Sequence, residues 1–135
     1  MPELSPYDYA LIRVVPKVER EEFINAGAIV FCPGSDFLEA RIELHEARLL
    51  ALDPSADLAT IWAHLATFPA VCAGGEDGGP IGRLPRGERF RWLTAPRSTV
   101  IQTSPVHTGA CHDPAAILEH LVETMVRHSR GEGAP

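Results

Sequence analysis

Between Tyr7 and Pro16 the chain reads YDYALIRVVP, aromatic and β-branched up to a proline, and this predicts a first strand. Alternation places Tyr7, Tyr9, Leu11, Arg13 and Val15 on one face and Asp8, Ala10, Ile12 and Val14 on the other. Both faces are largely apolar, the pattern of a strand central to its sheet. Arg13 stands out, because a cation on an apolar face needs a carboxylate or a ligand if burial is not to be costly. KVEREEFINAG follows as a short acidic turn, too brief for an independent helix. AIVFCP is a second strand, closed by Pro33–Gly34, and FLEARIEL a third. The short connections favour an antiparallel meander.

The period then lengthens. HEARLLAL reads as a helix broken at Asp53–Pro54, with Asp53 expected to cap the next helix and Pro54 at its first position. That helix runs to about Ala73 through Leu58, Ile61, Trp62, Leu65 and Phe68, ending or kinking near Pro69. AGGEDGGPIGRLPRGE is a glycine- and proline-rich loop, and RFRWLTA and STVIQT are read as two further strands. Asp113–Pro114 opens a last helix, in which Ile117, Leu118, Leu121, Val122, Met125 and Val126 recur at amphipathic spacing. Together these elements predict an α+β fold: a single domain over residues 1–128, with an antiparallel sheet of four or five strands and about three helices packed mainly on one face. SRGEGAP, residues 129–135, is expected to be a disordered tail.

A chain of 135 residues can bury a core without disulfides. The longest apolar run, Ala26 to Pro33, is too short to span a bilayer. The first residues lack the basic start of a secretory signal, so a cytoplasmic location is expected, with no membrane partner. Cys32, Cys72 and Cys111 are odd in number and widely spaced, which argues for reduced thiols over a disulfide framework. A net charge of −6 opposes general nucleic-acid binding, although Phe90 and Trp92 beside arginines could stack on bases. The charge is uneven: residues 83–97 carry five arginines against Glu88 alone, a local +4.

Candidate chemistry gathers downstream of those arginines. His107, Cys111, His112 and Asp113 do not follow a standard zinc spacing, and Asp113 already serves as a helix cap, so no metal site is expected. Ser98, Ser104 and Cys111 lie near His107 without a nucleophile-elbow motif. Cys111, close to a helix start, is expected to have its pKa lowered by the dipole. The glycine loop does not match a P-loop, and no cofactor is expected. Anion binding fits better: Gly109 would permit close approach to a helix start, and on a strand Arg89 and Arg91 would share one face. That alternation is also what any half-exposed strand produces, so a solvated face is the plain alternative.

YDYALIRVVPKVEREEFINAGAIVFCP, followed by ERFRWLTAPRSTVIQTSPVHTG and the aspartate–proline helix start, resembles a bacterial family of uncharacterised proteins, domain of unknown function 3037. The resemblance spans Tyr7 to the last helix. It implies a small stand-alone protein without an assigned activity, of a kind often encoded beside HipA-like serine/threonine kinases. The family's recurring polar positions fall on Arg13, Glu19, Arg20, Glu22, Asn25, Arg91, Arg97, Ser98, Ser104 and His107. Ala26 and Ala28 stand where family members usually carry larger aliphatics. Arg13, Glu22, Asn25 and His107 are expected either to line one cleft or, for Arg13 and Glu22, to form a buried ion pair holding the first turn.

Two functions follow as expectations. The first is a binding or regulatory accessory module that uses the arginine-rich strand–loop segment, with Arg89, Arg91 and Arg97, to engage an acidic or phosphorylated protein. A HipA-like kinase is the partner suggested by the resemblance, and a homo-oligomer stays open. The second is a small enzyme acting on a phosphorylated or acidic metabolite, with His107 as general acid/base and Arg13, Arg91 or Arg97 binding the anion.

Overall fold

A first strand apolar on both sides demands cover on both faces of its sheet. The computed structural model, which describes residues 3–127, has that cover. β1 (Ser5–Val14), β2 (Ile24–Cys32) and β3 (Phe37–Ile42) form the expected meander. α1 (Glu46–Leu52), α2 (Leu58–Ala73) and α3 (Arg86–Leu93) follow, then β4 (Ile101–Thr103), β5 (His107–Cys111) and α4 (Pro114–Leu121). α4 runs on into one π-helical turn, Val122–Val126. The sheet order is β3–β2–β1–β4, and all pairings are antiparallel. β5 also pairs with β1, so β4 and β5 lie along the same side of it, against Ile12–Val14 and Ser5–Tyr9 respectively.

Ala10, Ile12 and Val14 pack with Ile29, Leu38, Leu49, Leu65, Phe68, Phe90 and Leu93 in the core beneath α1, α2 and α3. Tyr7, Tyr9 and Leu11 pack with Ala28, Val30, Leu118 and Val122 beneath α4. Three helices therefore cover one face and one covers the other, an α+β fold with the sheet buried between them. Ala26 and Ala28 are fully buried, one toward each core. Gly27 between them is set by β3: a Cβ there would lie 2.5 Å from the Arg41 carbonyl oxygen.

Three local expectations are corrected. RFRWLTA is not a strand; α3 begins at Arg86, and Arg89, Phe90 and Leu93 are buried at helical spacing. A four-residue alternation of arginine and aromatic residues is too short to distinguish the two periods. Asp53 does not cap α2. It ends α1, and its carboxylate accepts from Ser55 N and Oγ at 3.1 and 2.8 Å. Asp57 is the α2 cap, accepting from Thr60 N at 3.2 Å, so α2 starts four residues after Pro54. Pro69 lies inside α2, which continues to Ala73. Asp113 does cap α4 with Pro114 in the first turn. Residues 129–135, expected as a tail, lie outside the described residues. No described helix is long and apolar enough to cross a membrane.

Candidate functional site

The site is built at the C-terminal end of β1. A bulge between Ile12 and Arg13 leaves Ala26 without a partner on β1, so Arg13 falls opposite Asn25 on β2. On the other side Arg13 pairs with Gln102 of β4. Asn25, Arg13 and Gln102 thus form one row across three strands. Asn25 donates from Nδ2 to the Met125 carbonyl at 3.0 Å, tying this row to the end of the π turn.

Arg13 is half-buried, and its guanidinium carbon lies 4.2 Å from the centre of the Phe23 ring. Its Nε is buried without a hydrogen-bond partner, as is Oδ1 of Asn25. Three other arginines are paired. Arg20 pairs with Glu22, Arg41 with Glu119, and Arg127 with Glu43. Arg13, half-buried, forms no ion pair with any carboxylate among the described residues. Burial of a guanidinium without a counter-charge is unfavourable unless something else supplies the negative charge.

What Arg13 faces is a cavity of about 310 Å³, lined also by Arg97, Ser98, Gln102, Phe23 and Glu21. Arg97 reaches it from the turn after α3. Its Nη atoms donate to the carbonyls of Trp92 at 2.7 Å and Leu93 at 3.2 Å, and the guanidinium lies 4.8 Å from the Trp92 ring centre. Carbonyls at a helix C-terminus favour a cation there. Arg97 is therefore anchored by α3. Its guanidinium has five N–H donors, and those two contacts leave donors free. Ser98 and Gln102 add a hydroxyl and an amide. Two guanidiniums and these groups can hold a phosphate or carboxylate, while Glu21, at the exposed rim with φ of 56°, opposes a diffuse negative charge.

The other residues singled out from the sequence lie elsewhere. Glu22 does not pair with Arg13; its carboxylate accepts from Arg20 Nε and Nη2 at 2.9 and 3.2 Å. Both side chains are exposed, and Arg20 holds the Glu22 carboxyl below its ordinary range. Glu21, in the left-handed conformation, closes the turn after Val18–Arg20 just before Glu22. Arg89 is buried and donates to three carbonyls: Leu84 at 2.8 Å, Val71 at 2.9 Å and Cys72 at 2.9 Å. Arg89 and Arg91 do not share a strand face: Arg91 is exposed on α3 while Arg89 points into the protein.

Ser104, also buried, accepts from Leu11 N at 2.8 Å and donates to the Pro105 carbonyl at 2.9 Å. It bridges the interruption between β4 and β5. His107 opens β5 opposite Tyr9, with ring centres 5.2 Å apart, and is exposed. Four strand rises along β1 separate its partner Tyr9 from Arg13, about 13 Å. His107 and Arg13 therefore do not line one cleft. Gly109 pairs with Tyr7 in the sheet, and a Cβ on it would come within 2.8 Å of the Tyr7 ring, so its bareness makes room for that ring. Cys111 is buried, and burial, then the neighbouring Cys32, push its thiol pKa up, the reverse of the expected lowering.

Of the sequence-derived set, the cavity brings together Arg13, Arg97 and Ser98, with Asn25 behind Arg13 in the same row. Phe23, Glu21 and Gln102 were not singled out. Phe23 carried one signal, a large apolar residue in an acidic turn, whereas Gln102 enters only through the β1–β4 register.

A family model described as Protein of unknown function (DUF3037) matches residues 9–126. No curated protein and no solved structure matches the chain. The chain belongs to the DUF3037 family.

Proposed function

We propose that this DUF3037 protein is a recognition module that takes an anionic group of its partner into the cavity between Arg13 and Arg97. One observation carries the reading: a half-buried Arg13 guanidinium that forms no ion pair and whose Nε has no hydrogen-bond partner among the described residues, lining a cavity that it shares with a second arginine. An incoming phosphate or carboxylate supplies a counter-charge to the two guanidiniums. The segment involved is the helix–turn running from α3 to Arg97 and Ser98, with β1 contributing Arg13, rather than a strand–loop. Arg89 takes no part in it. The partner in this reading is an acidic or phosphorylated protein, and a HipA-like serine/threonine kinase is the candidate that the family resemblance supplies.

The spacing favours recognition over catalysis. A general acid/base must come within hydrogen-bond reach of the reacting group, and His107 lies about 13 Å along β1 from Arg13. Titration calorimetry with inorganic phosphate and with O-phosphoserine tests the proposal. Each lost charge-assisted hydrogen bond is worth ~1.5–3 kcal/mol, so Arg13→Gln weakens phosphate binding by about tenfold or more. His107→Ala leaves it unchanged. Phosphate affinity unaltered by Arg13→Gln and by Arg97→Gln would remove the proposal.

A further inference from the structure

Arg97 lines two cavities. On its far side lies a second depression of about 240 Å³ whose lining includes Phe68, Leu93 and Ile101, with Trp92, His64 and Thr67 around them. The first three are buried core residues, whereas Trp92 is 40% exposed although it is a large aromatic. The Arg97 guanidinium lies over the Trp92 ring, and the Arg97 side chain lines both cavities. One compartment is cationic and polar, and the next is apolar with a rim of hydroxyl and imidazole.

From this juxtaposition we infer that the partner segment is a peptide with a phosphorylated side chain in the Arg13–Arg97 cavity and an aromatic side chain one or two residues away in the Trp92–Phe68 depression. The inference rests on the anion-recognition reading and specifies its ligand. Charge selects phosphate: two guanidiniums match the −1.5 to −2 of a phosphorylated residue. A net charge of −6 on the whole chain disfavours a long acidic stretch, so the negative charge must be concentrated in one group. Geometry selects a peptide. The ligand must pass the Arg97 side chain, and an extended backbone advancing ~3.3–3.6 Å per residue does so while placing neighbouring side chains on either side. His64 on the rim offers a partner to its main chain. Aromatic burial against Trp92 and Phe68 supplies affinity that the phosphate alone lacks.

The test uses two blocked tetrapeptides, each with one phosphoserine, one carrying phenylalanine at the next or next-but-one position and one carrying glycine there, with inorganic phosphate and adenosine monophosphate as controls. The full-length protein binds the phenylalanine peptide at least fivefold more tightly than the glycine peptide. Thr67→Trp, which fills the depression from an exposed helix position, abolishes that difference and leaves phosphate binding unchanged; Thr67→Ala retains it. Equal affinity for the two peptides in the wild type, with Arg13-dependent phosphate binding intact, overturns the two-compartment inference alone. Tighter binding of adenosine monophosphate than of either peptide overturns it in favour of a base in the depression. Loss of Arg13 dependence for every probe overturns the anion reading and this inference together.

Discussion

Arg89 is the arginine whose loss should damage the fold rather than the site. The residue is 8% exposed, and its side chain joins the end of α2, at Val71 and Cys72, to the Leu84 carbonyl just before α3. In Arg89→Leu the Val71 carbonyl keeps the Gly74 amide, at 3.1 Å, while those of Cys72 and Leu84 lose the Arg89 donor. An unsatisfied buried polar group costs ~1–3 kcal/mol. Two of them, partly relieved by water and by no longer burying a guanidinium, give a net loss of about 3 kcal/mol. For a domain of this size that lowers Tm by roughly 10 °C. Urea unfolding followed by far-UV circular dichroism reads it as a shift in midpoint at constant slope. Arg89→Lys, a single ammonium in place of a fork, recovers only part. Exposed Arg91→Ala stays within about 0.5 kcal/mol. If Arg89→Leu changed stability by less than ~1 kcal/mol, the assignment of this residue to the α2–α3 junction would be wrong.

Other expectations follow from the same geometry. Gly27→Ala forces a Cβ to 2.5 Å from a backbone oxygen of β3 and should cost ~1–3 kcal/mol, more than Gly109→Ala, where the 2.8 Å clash is with a side chain, the Tyr7 ring, and not with backbone; equal costs by denaturant titration would contradict this. The Glu43 carboxyl is held below its ordinary 4.5, chiefly by the hydrogen bond from Arg127, against the opposing effect of partial burial. A carboxyl depressed in the folded state contributes stability that is complete above 4.5 and lost as pH falls through the folded value. The gap in stability between wild type and Glu43→Gln should therefore narrow on acidification, and a gap that widened would refute the pairing. Burial pushes the Cys72 thiol up to about 12, and Cys32 and Cys111 are buried as well. An aromatic disulfide reagent at pH 8 should react far more slowly with native protein than with the urea-unfolded chain, and rapid release of one equivalent would show a reactive thiol after all.

The sheet was legible because β1 to β3 combine β-branched alternation with turn signals at Pro16 and Pro33–Gly34. α4 was legible from its aspartate–proline start and sustained apolar spacing. α3 was not. Its two aromatics straddle an arginine in a pattern that fits either period, and the residue deciding the matter is Arg89, a charge that tertiary carbonyls draw inward. Arg13 could be read as anomalous from the strand alone, since nothing but its neighbours' hydrophobicity was needed. Its surroundings could not. Glu22 is nearest in sequence, yet a left-handed Glu21 closes the turn just before it, and Gln102 reaches Arg13 only through an antiparallel register 89 residues away. His107 likewise looked close to the site because the β4–β5 interruption at Ser104, which spreads the segment along β1, leaves no mark in a single sequence.

The central claim concerns one unpartnered guanidinium, and its Nε–H group can be observed directly. In a nitrogen–proton correlation spectrum of the arginine side chains, titration with inorganic phosphate should move the Nε–Hε resonance of Arg13 first and furthest. That of Arg97 should follow, while buried Arg89, already committed to carbonyls, stays fixed. An Arg13 resonance that held still while exposed Arg86 and Arg91 shifted together would mean that phosphate meets only a diffuse positive surface, and the recognition cavity would have to be given up.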